Sequence, residues 1–204
     1  MNLPNNTIAR ICKVFGYLNS LEDTNFISSK ELALAIGTTG HTVRKDISIL
    51  GITGYTRKGY DVKALKNELG SKLNLNKKRK ACIVGLGRLG TALLDYEKFQ
   101  KDGFEIVVGF DNSINKLERI KTDIKVSADI YMKDIIKENS IELGIITTPS
   151  KVAQEVADKL IDAGVKGILN FSPIKIVVPE HIIYQDMDFT NSLRFIAAQL
   201  KTEA

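Results

Sequence analysis

The stretch that decides the fold is residues 81–90, which read Ala81-Cys-Ile-Val-Gly85-Leu-Gly87-Arg-Leu-Gly90. Its first four residues are apolar and predict a buried strand. The glycines that follow have the spacing Gly-x-Gly-x-x-Gly, and the next residues, 91–96, are typical of a helix. In such a turn Gly85 permits the tight bend, Gly87 lets a phosphate approach the backbone, and Gly90 lets the helix pack on the strand. The stretch therefore predicts a phosphate-binding turn between a strand and a helix.

A second strand strengthens this interpretation. Residues 104–110 are mostly apolar and end in Asp111, 21 residues beyond Gly90. An acidic residue at this place accepts hydrogen bonds from the adenosine ribose hydroxyls in Rossmann domains. Its charge would repel a 2′-phosphate, so the pattern favours NAD(H) over NADP(H). We predict a doubly wound α/β domain that binds NAD; the alternative is an α/β unit with a fortuitous glycine loop.

The alternation of strands and helices continues to the end of this half. The sequence predicts a strand over 141–147, a helix that starts at 148–150 with Pro149 near its first position, and a strand over 167–171. The carboxyl ends of such strands line the cofactor crevice. The predicted cofactor site therefore consists of Gly85, Leu86, Gly87, Arg88, Leu89, Gly90, Asp111, Thr147, Thr148, Pro149, Asn170, Phe171 and Ser172, although any of the last six could equally be ordinary loop.

Charge divides the chain into two parts. Residues 1–80 carry 14 Lys+Arg and 6 Asp+Glu, whereas residues 81–204 carry 15 and 18. A basic segment of this size suits a polyanion such as DNA. The polar, basic stretch 75–80 precedes the first apolar strand and predicts a linker. We therefore predict a first domain over 1–80 and a second over 81–187, followed by a C-terminal helix over 188–204.

The basic part predicts three helices followed by a hairpin. Ile8, Ile11, Cys12, Phe15 and Leu18 recur at helical spacing and predict a first helix beginning at residues 5–7. Ser28 and Glu31 form a capping box for a second helix, which ends at Gly37. A third helix follows over 39–50, with apolar and polar stripes on nearly opposite faces.

The polar stripe and the hairpin form a predicted DNA surface. A second helix that is anchored on one side and polar on the other is what a helix-turn-helix requires. Residues 51–60 read as a hairpin with a basic tip, which makes a winged helix. The alternative is a helical domain whose cations are only a solvated face. The predicted DNA contacts are Thr39, His41, Thr42, Arg44, Lys45, Ser48, Arg57 and Lys58.

Three further features bear on location and partners. No apolar run approaches the roughly 18 residues of a membrane span, and the first ten residues lack a signal-peptide pattern, so we expect a cytoplasmic protein without a membrane partner. Cys12 and Cys82 lie in apolar segments and are predicted to be buried, with a redox thiol as the alternative; no metal site is predicted. Apolar residues of 188–200 form a narrow seam, which could pack on its own sheet or grip a second subunit.

A basic winged helix followed by a dinucleotide fold resembles the Rex family of redox-sensing transcriptional repressors. The resemblance implies a homodimer that exchanges its C-terminal helices, binds an inverted-repeat operator and releases it when NADH rises. It also implies that Tyr96, as a further member of the cofactor site, and Asp188 make contacts that change with redox state. The motifs that carry it are residues 43–46, 85–96, 109–111, 164–171 and 188–189.

The chain departs from the family pattern in the DNA-binding half. An aromatic pair is usual where Ile49-Leu50 stand, and an Arg is frequent at Gly16. The wing usually reads Gly-x-Arg-Gly-x-Gly-Tyr, whereas here Thr56 stands at the Arg position and Arg57 at a Gly. A relative with altered DNA or ligand preference is therefore an alternative.

Two rival functions fit only part of the sequence pattern. A small NAD-dependent dehydrogenase needs an acid-base group and a domain that holds substrate. Only 124 residues follow residue 80, and His181 is the one histidine among them, so we predict that the chain is not an enzyme. A nucleotide-gated module that does not bind DNA is the other rival, and the basic wing argues against it.

Overall fold

The structure is a computed structural model that describes residues 3–22 and 24–200. It divides into two compact units, one ending at Lys78 and one beginning at Arg79. The division lies two residues before the predicted boundary, because Arg79 and Lys80 already pair with Phe104 and Glu105 in the first strand pair of the second unit.

The first unit contains the three predicted helices and a small wing. The capping box is present, since the Glu31 N–H donates to Ser28 Oγ at 3.2 Å and the Ser28 N–H donates to Glu31 Oε2 at 2.8 Å. The second helix stops at Gly37, whose φ is 70°. The elements are α1 Asn5–Asn19, β1 Phe26–Ile27, α2 Ser29–Ile36, α3 Gly40–Ile49, β2 Tyr60–Asp61 and α4 Val62–Lys72.

The core of this unit corrects one prediction. Helix α1 buries Thr7, Ile11, Val14 and Leu18, whereas Cys12 of the predicted stripe is exposed. Ile8 of the same stripe is also exposed, while the buried Thr7 can donate a hydrogen bond to Asp46 Oδ1 at 3.2 Å. The prediction that Cys12 is buried is therefore wrong.

Asp46 ties the third helix to the first. Its carboxylate is buried on α3 and accepts hydrogen bonds from Arg10 Nε at 2.6 Å and from Arg10 Nη2 at 2.8 Å. This bidentate arrangement is the strong form of an ion pair. It fixes the depth at which α3 lies on the core, and with it the direction in which the polar stripe points.

We expect Asp46→Ala to lower the free energy of unfolding by about 2 kcal/mol, because it removes three charge-assisted bonds from a buried site. Arg10 is partly exposed, so water offsets some of the loss. Urea denaturation of the full chain measures the change. Glu97→Ala is the control, since the Glu97–Lys101 pair is largely exposed and its loss should change the free energy of unfolding far less than the loss of Asp46. Equal losses in both variants would contradict a special role for Asp46.

The second unit is built on a parallel sheet of six strands in the order β5-β4-β3-β6-β7-β8. This is the doubly wound order, in which the chain reverses direction across the sheet between β3 and β6. The predicted Rossmann fold is confirmed. Its elements are β3 Arg79–Val84, α5 Arg88–Leu94, α6 Glu97–Lys101, β4 Phe104–Asp111, α7 Ile114–Leu117, β5 Lys125–Ala128, α8 Met132–Asn139, β6 Leu143–Ile146, α9 Ser150–Ala163, β7 Gly167–Asn170, β8 Ile183–Asp186 and α10 Phe189–Ala197.

Several details differ from the sequence interpretation. Strand β6 is shorter than the predicted 141–147, and Pro149 is the residue before α9 rather than its first residue. Cys82 is buried as predicted, and burial raises the pKa of its thiol to about 12. Among the helices of residues 3–22 and 24–200, none combines the length and the apolarity that crossing a membrane requires.

Candidate functional site

The glycine turn lies at the carboxyl end of β3, at the switch point of the sheet. Gly85 has a φ of 98°, and a Cβ there would lie 2.7 Å from Thr148 Cγ2. A Cβ on Gly90 would lie 2.0 Å from the Gly85 carbonyl oxygen. Both glycines are therefore required by the chain itself. A Cβ on Gly87, in contrast, would meet no atom of the described residues within 4 Å, so the surface above Gly87 is open to a ligand.

Thr147 holds the turn in place. Its hydroxyl lies 2.7 Å from the Gly85 carbonyl oxygen and 3.1 Å from that of Val84, and can donate to either. Thr147 was predicted to belong to the cofactor site. In the structure its hydroxyl forms a hydrogen bond with a backbone carbonyl of the glycine turn, so its observed role is to hold this turn in place.

Two hydroxyl groups that follow β6 and β7 are buried without a hydrogen-bond partner among residues 3–22 and 24–200. Thr148 Oγ1 and Ser172 Oγ make no hydrogen bond to any described residue. Such groups are rare in folded proteins because each loses its bonds to water without replacement. Thr148 and Ser172 follow two neighbouring strands, so both hydroxyls lie at the carboxyl edge of the sheet, where the predicted cofactor would bind. Polar groups of a ligand could form hydrogen bonds with them there.

The other predicted residues at this edge have partners within the chain. The Asn170 amide nitrogen donates to the Ile174 carbonyl oxygen at 2.8 Å and to Asp186 Oδ1 at 2.9 Å. Phe171 packs its ring against Phe189, with centroids 5.8 Å apart. Asn170 thus holds the loop that carries Ser172. Whether these residues contact a cofactor stays a prediction.

Asp111 ends β4, as predicted, and is buried. Its Oδ2 accepts from the Leu86 N–H at 2.9 Å, and its Oδ1 accepts from the Ser113 N–H at 2.9 Å. Lys116 Nζ lies 3.0 Å from Oδ2. The carboxylate therefore fastens the glycine turn to the end of β4, a role that the sequence interpretation missed.

Among the other predicted residues of this unit, the side chain of Leu86 is buried in the core, whereas Arg88, Leu89, Tyr96, Pro149 and Asp188 are exposed. Arg88 and Leu89 open α5 beside Gly87. Tyr96 lies between α5 and α6, with its ring stacked edge-on against Phe99 at 5.1 Å. Asp188 caps α10 by accepting from the Asn191 N–H at 2.9 Å. Their predicted roles are untested by these contacts.

The polar stripe of α3 is exposed as predicted, and its contact with DNA stays a prediction. Helix α3 buries Val43, Ile47 and, directly after it, Leu50. Thr39 caps the helix by accepting from the Thr42 N–H at 3.2 Å. The exposed side chains on the opposite face are His41, Arg44, Lys45 and Ser48.

Arg44 has a support that the sequence did not reveal. Its Nη1 donates a hydrogen bond, 2.6 Å long, to the hydroxyl of Ser29, which is the first residue of α2. The contact links the two helices of the helix-turn-helix and holds an exposed guanidinium at a defined position. The only sequence signal for it was the short turn between the helices.

The wing is a tight turn closed by Tyr55 and Gly59. The Tyr55 N–H donates to the Gly59 carbonyl oxygen at 2.6 Å, and the Gly59 N–H donates to that of Tyr55 at 3.1 Å. Phe26 of β1 packs edge-on against Tyr55, and Lys58 Nζ lies 5.6 Å from the Phe26 ring centroid. The aromatic pair thus supports one of the two predicted wing cations.

Arg57 occupies the wing tip with a φ of 69°. This is the position at which the Rex pattern has a glycine. The left-handed region costs an L-residue about 1–2 kcal/mol. The chain therefore keeps the glycine-type turn while placing a cation on it.

We expect Arg57→Gly to raise the free energy of unfolding by about 1 kcal/mol through relief of this strain. If Arg57 contacts phosphate, the same change weakens binding to all DNA sequences and lowers the salt slope by about one. Arg57→Ala removes the charge but keeps the strain, so it should weaken DNA binding without stabilising the chain. Chemical denaturation and DNA titrations at several salt concentrations measure both effects. Equal stability of the two variants would contradict the strain.

Comparison with known proteins gives matches over nearly the whole chain. A redox-sensing transcriptional repressor Rex from Carboxydothermus hydrogenoformans is 36% identical over 203 residues, which cover 98% of each chain. A Rex from Clostridium botulinum is 37% identical and covers 98% of this chain and 96% of its own length. This chain belongs to the Rex family. The family models for "CoA binding domain" and "Putative DNA-binding protein N-terminus" match residues 76–174 and 2–48.

Solved structures agree with this membership of the Rex family. The crystal structure of RSP in complex with beta-NADH is 32% identical, with a TM-score of 0.85, and the match covers 98% of this chain and 94% of that one. RSP in complex with beta-NAD+ and operator DNA is 34% identical, with a TM-score of 0.86 and coverage of 98% and 93%. The fold predicted from sequence, a winged helix followed by a Rossmann domain, is therefore that of Rex proteins.

Proposed function

We propose that this chain is a redox-sensing transcriptional repressor that binds operator DNA and leaves it when NADH binds. The observation that carries the proposal is the match of both units, in one chain, to a Rex-family repressor solved with NADH and with NAD+ and operator DNA. The proposed place of action is the cytoplasm, with the DNA. The family consists of repressors, and we propose that this member also performs no turnover.

The second unit would hold the dinucleotide at the carboxyl edge of its sheet. The open surface above Gly87 admits the pyrophosphate, and the buried hydroxyls of Thr148 and Ser172 provide unpaired groups for the nicotinamide end. When bound, the nicotinamide would supply the redox signal, because NADH and NAD+ differ in its oxidation state. The chain's own residues bind and orient it, and the proposal requires no proton transfer.

The first unit would bind DNA through α3 and the wing. Arg44, which is held by Ser29, would contact base edges, while Arg57 and Lys58 would contact phosphates. Exposed Arg and Lys on such a helix form the commonest base contacts, and phosphate contacts provide most of the affinity.

We also propose a homodimer. Every residue of α10 is exposed, including Phe189, Leu193, Phe195 and Ile196. Phe189, Leu193 and Ile196 share one face of α10 at helical spacing. An exposed apolar face of this kind marks an interaction site, which supports exchange of α10 between protomers. Two paired α3 helices would then fit half-sites about 34–36 Å apart.

The test is a titration of fluorescent inverted-repeat DNA, selected from a random pool, with the full chain at fixed salt. We expect NADH to weaken binding by about 5–150-fold, which is the usual range of coupling between two ligand sites, and NAD+ to weaken it less. Absence of DNA binding without ligand would refute the repressor. NADH consumption with carbonyl substrates would favour the dehydrogenase instead.

A further inference from the structure

The buried Asp111 carboxylate has no free acceptor position in this structure. A carboxylate offers about four lone-pair directions. Leu86 N–H and Lys116 Nζ occupy Oδ2, at 2.9 and 3.0 Å, while Ser113 N–H and Lys116 Nζ occupy Oδ1, at 2.9 and 3.3 Å. The side chain is 4% exposed. Ribose hydroxyls would have to displace one of these donors to bond with it.

Lys116 stands between this carboxylate and the solvent. Its side chain is 53% exposed. Its ammonium shares Asp111 Oδ2 with the Leu86 N–H, a backbone group of the glycine turn. Lys116 Nζ therefore lies beside the turn, at the place where the ribose adjoining the pyrophosphate would approach.

The exposed charge beside the glycine turn is positive, whereas the sequence led us to expect a negative one. A lone carboxylate would repel a 2′-phosphate, but here the carboxylate is buried and paired, and the exposed charge is positive. An ammonium has three donors and no acceptor, so it can donate to a ribose hydroxyl and attracts a phosphate.

From these contacts we propose that Lys116, by pairing with the Asp111 carboxylate, sets the preference between a free ribose 2′-hydroxyl and a 2′-phosphate. Lys116 makes the site more tolerant of NADPH than the acidic residue alone would allow. The proposal rests on the proposed function, since it assumes that NADH binds at the glycine turn.

The test measures the dissociation constants of NADH and NADPH by fluorescence titration of the full chain. We expect Lys116→Met to raise the ratio of the NADPH constant to the NADH constant at least tenfold, because the buried carboxylate loses its counter-charge. Lys116→Arg keeps the charge and should leave the ratio within about threefold. Lys137→Met is the matched control: α8 connects the carboxyl end of β5 to the amino end of β6, so Lys137 lies at the opposite edge of the sheet.

The outcomes separate this proposal from the function on which it rests. An unchanged or lower ratio in Lys116→Met, with NADH still bound, would overturn the role of Lys116 and leave the repressor standing. A wild-type chain that binds neither dinucleotide would overturn both. A similar rise in Lys137→Met would show a general effect of net charge and would also reject the proposal. Thermal melting of each variant without ligand checks that the fold is intact.

Discussion

Gly87→Ala is expected to weaken NADH binding by about 100-fold, or about 2.7 kcal/mol, without changing the stability of the chain. Gly87 has a φ of −74°, which alanine adopts without strain, and its new Cβ would touch no described atom. The methyl group would instead occupy the surface that the proposed pyrophosphate approaches. Calorimetry with NADH and a thermal melt without it measure the two quantities separately.

Two other glycines provide contrasts for this variant. Gly90→Ala places a Cβ 2.0 Å from a backbone oxygen, so it should destabilise the second unit by about 1–3 kcal/mol as well as impair binding. Gly16 lies in α1 with open space around it, so Gly16→Ala should stabilise the chain by about 0.5–1 kcal/mol and leave NADH binding intact.

Wild-type affinity in Gly87→Ala would mean that the pyrophosphate does not lie on this turn. A Gly87→Ala repressor should bind operator DNA and need about 100-fold more NADH to leave it.

The second large effect concerns the coupling between NADH binding and operator binding. We expect Tyr96→Phe and Asp188→Asn to leave NADH affinity within about threefold but to reduce its effect on operator binding to less than about fivefold. Both changes preserve the visible local structure. Phenylalanine keeps the stack on Phe99 at 5.1 Å, and asparagine can cap α10 as Asp188 does.

The coupling between NADH and operator DNA is reciprocal, so the prediction can be tested from both sides. An NADH molecule that weakens DNA binding by some factor must bind the DNA-loaded protein more weakly by the same factor. Operator affinity is measured with and without saturating NADH, and NADH affinity with and without operator, for the wild type and both variants. A full wild-type response in both variants would remove Tyr96 and Asp188 from the mechanism. An NADH-insensitive wild type would instead identify a DNA-binding relative without the switch.

Local patterns were sufficient for much of the fold. The strand, glycine turn and helix at 81–94 depend on neighbouring residues, and so do the Ser28 capping box and the stop at Gly37. The two short strands β5 and β8, at the edges of the sheet, were missed because four residues of mixed polarity give little periodicity.

Features that depend on distant partners could not be predicted. Five apolar residues at helical spacing placed Cys12 in the core, but the buried face of α1 includes Thr7, whose hydrogen-bond partner Asp46 lies 39 residues along the chain. The position of Asp111 at the end of β4 was predictable, whereas the saturation of its carboxylate depends on Leu86, 25 residues earlier. Likewise, the Arg57 turn became clear only when its φ was known.

The exposure of α10 has a consequence for how much of the repressor is active. A helix of nine residues is too short to be stable alone in water, so its order depends on being covered by another surface. In the proposed dimer that surface belongs to a second protomer, and the fraction of ordered arms rises with protein concentration by mass action. Operator occupancy would then depend on the number of copies in the cell as well as on NADH. A change in expression level could thus shift the redox threshold without any change in sequence.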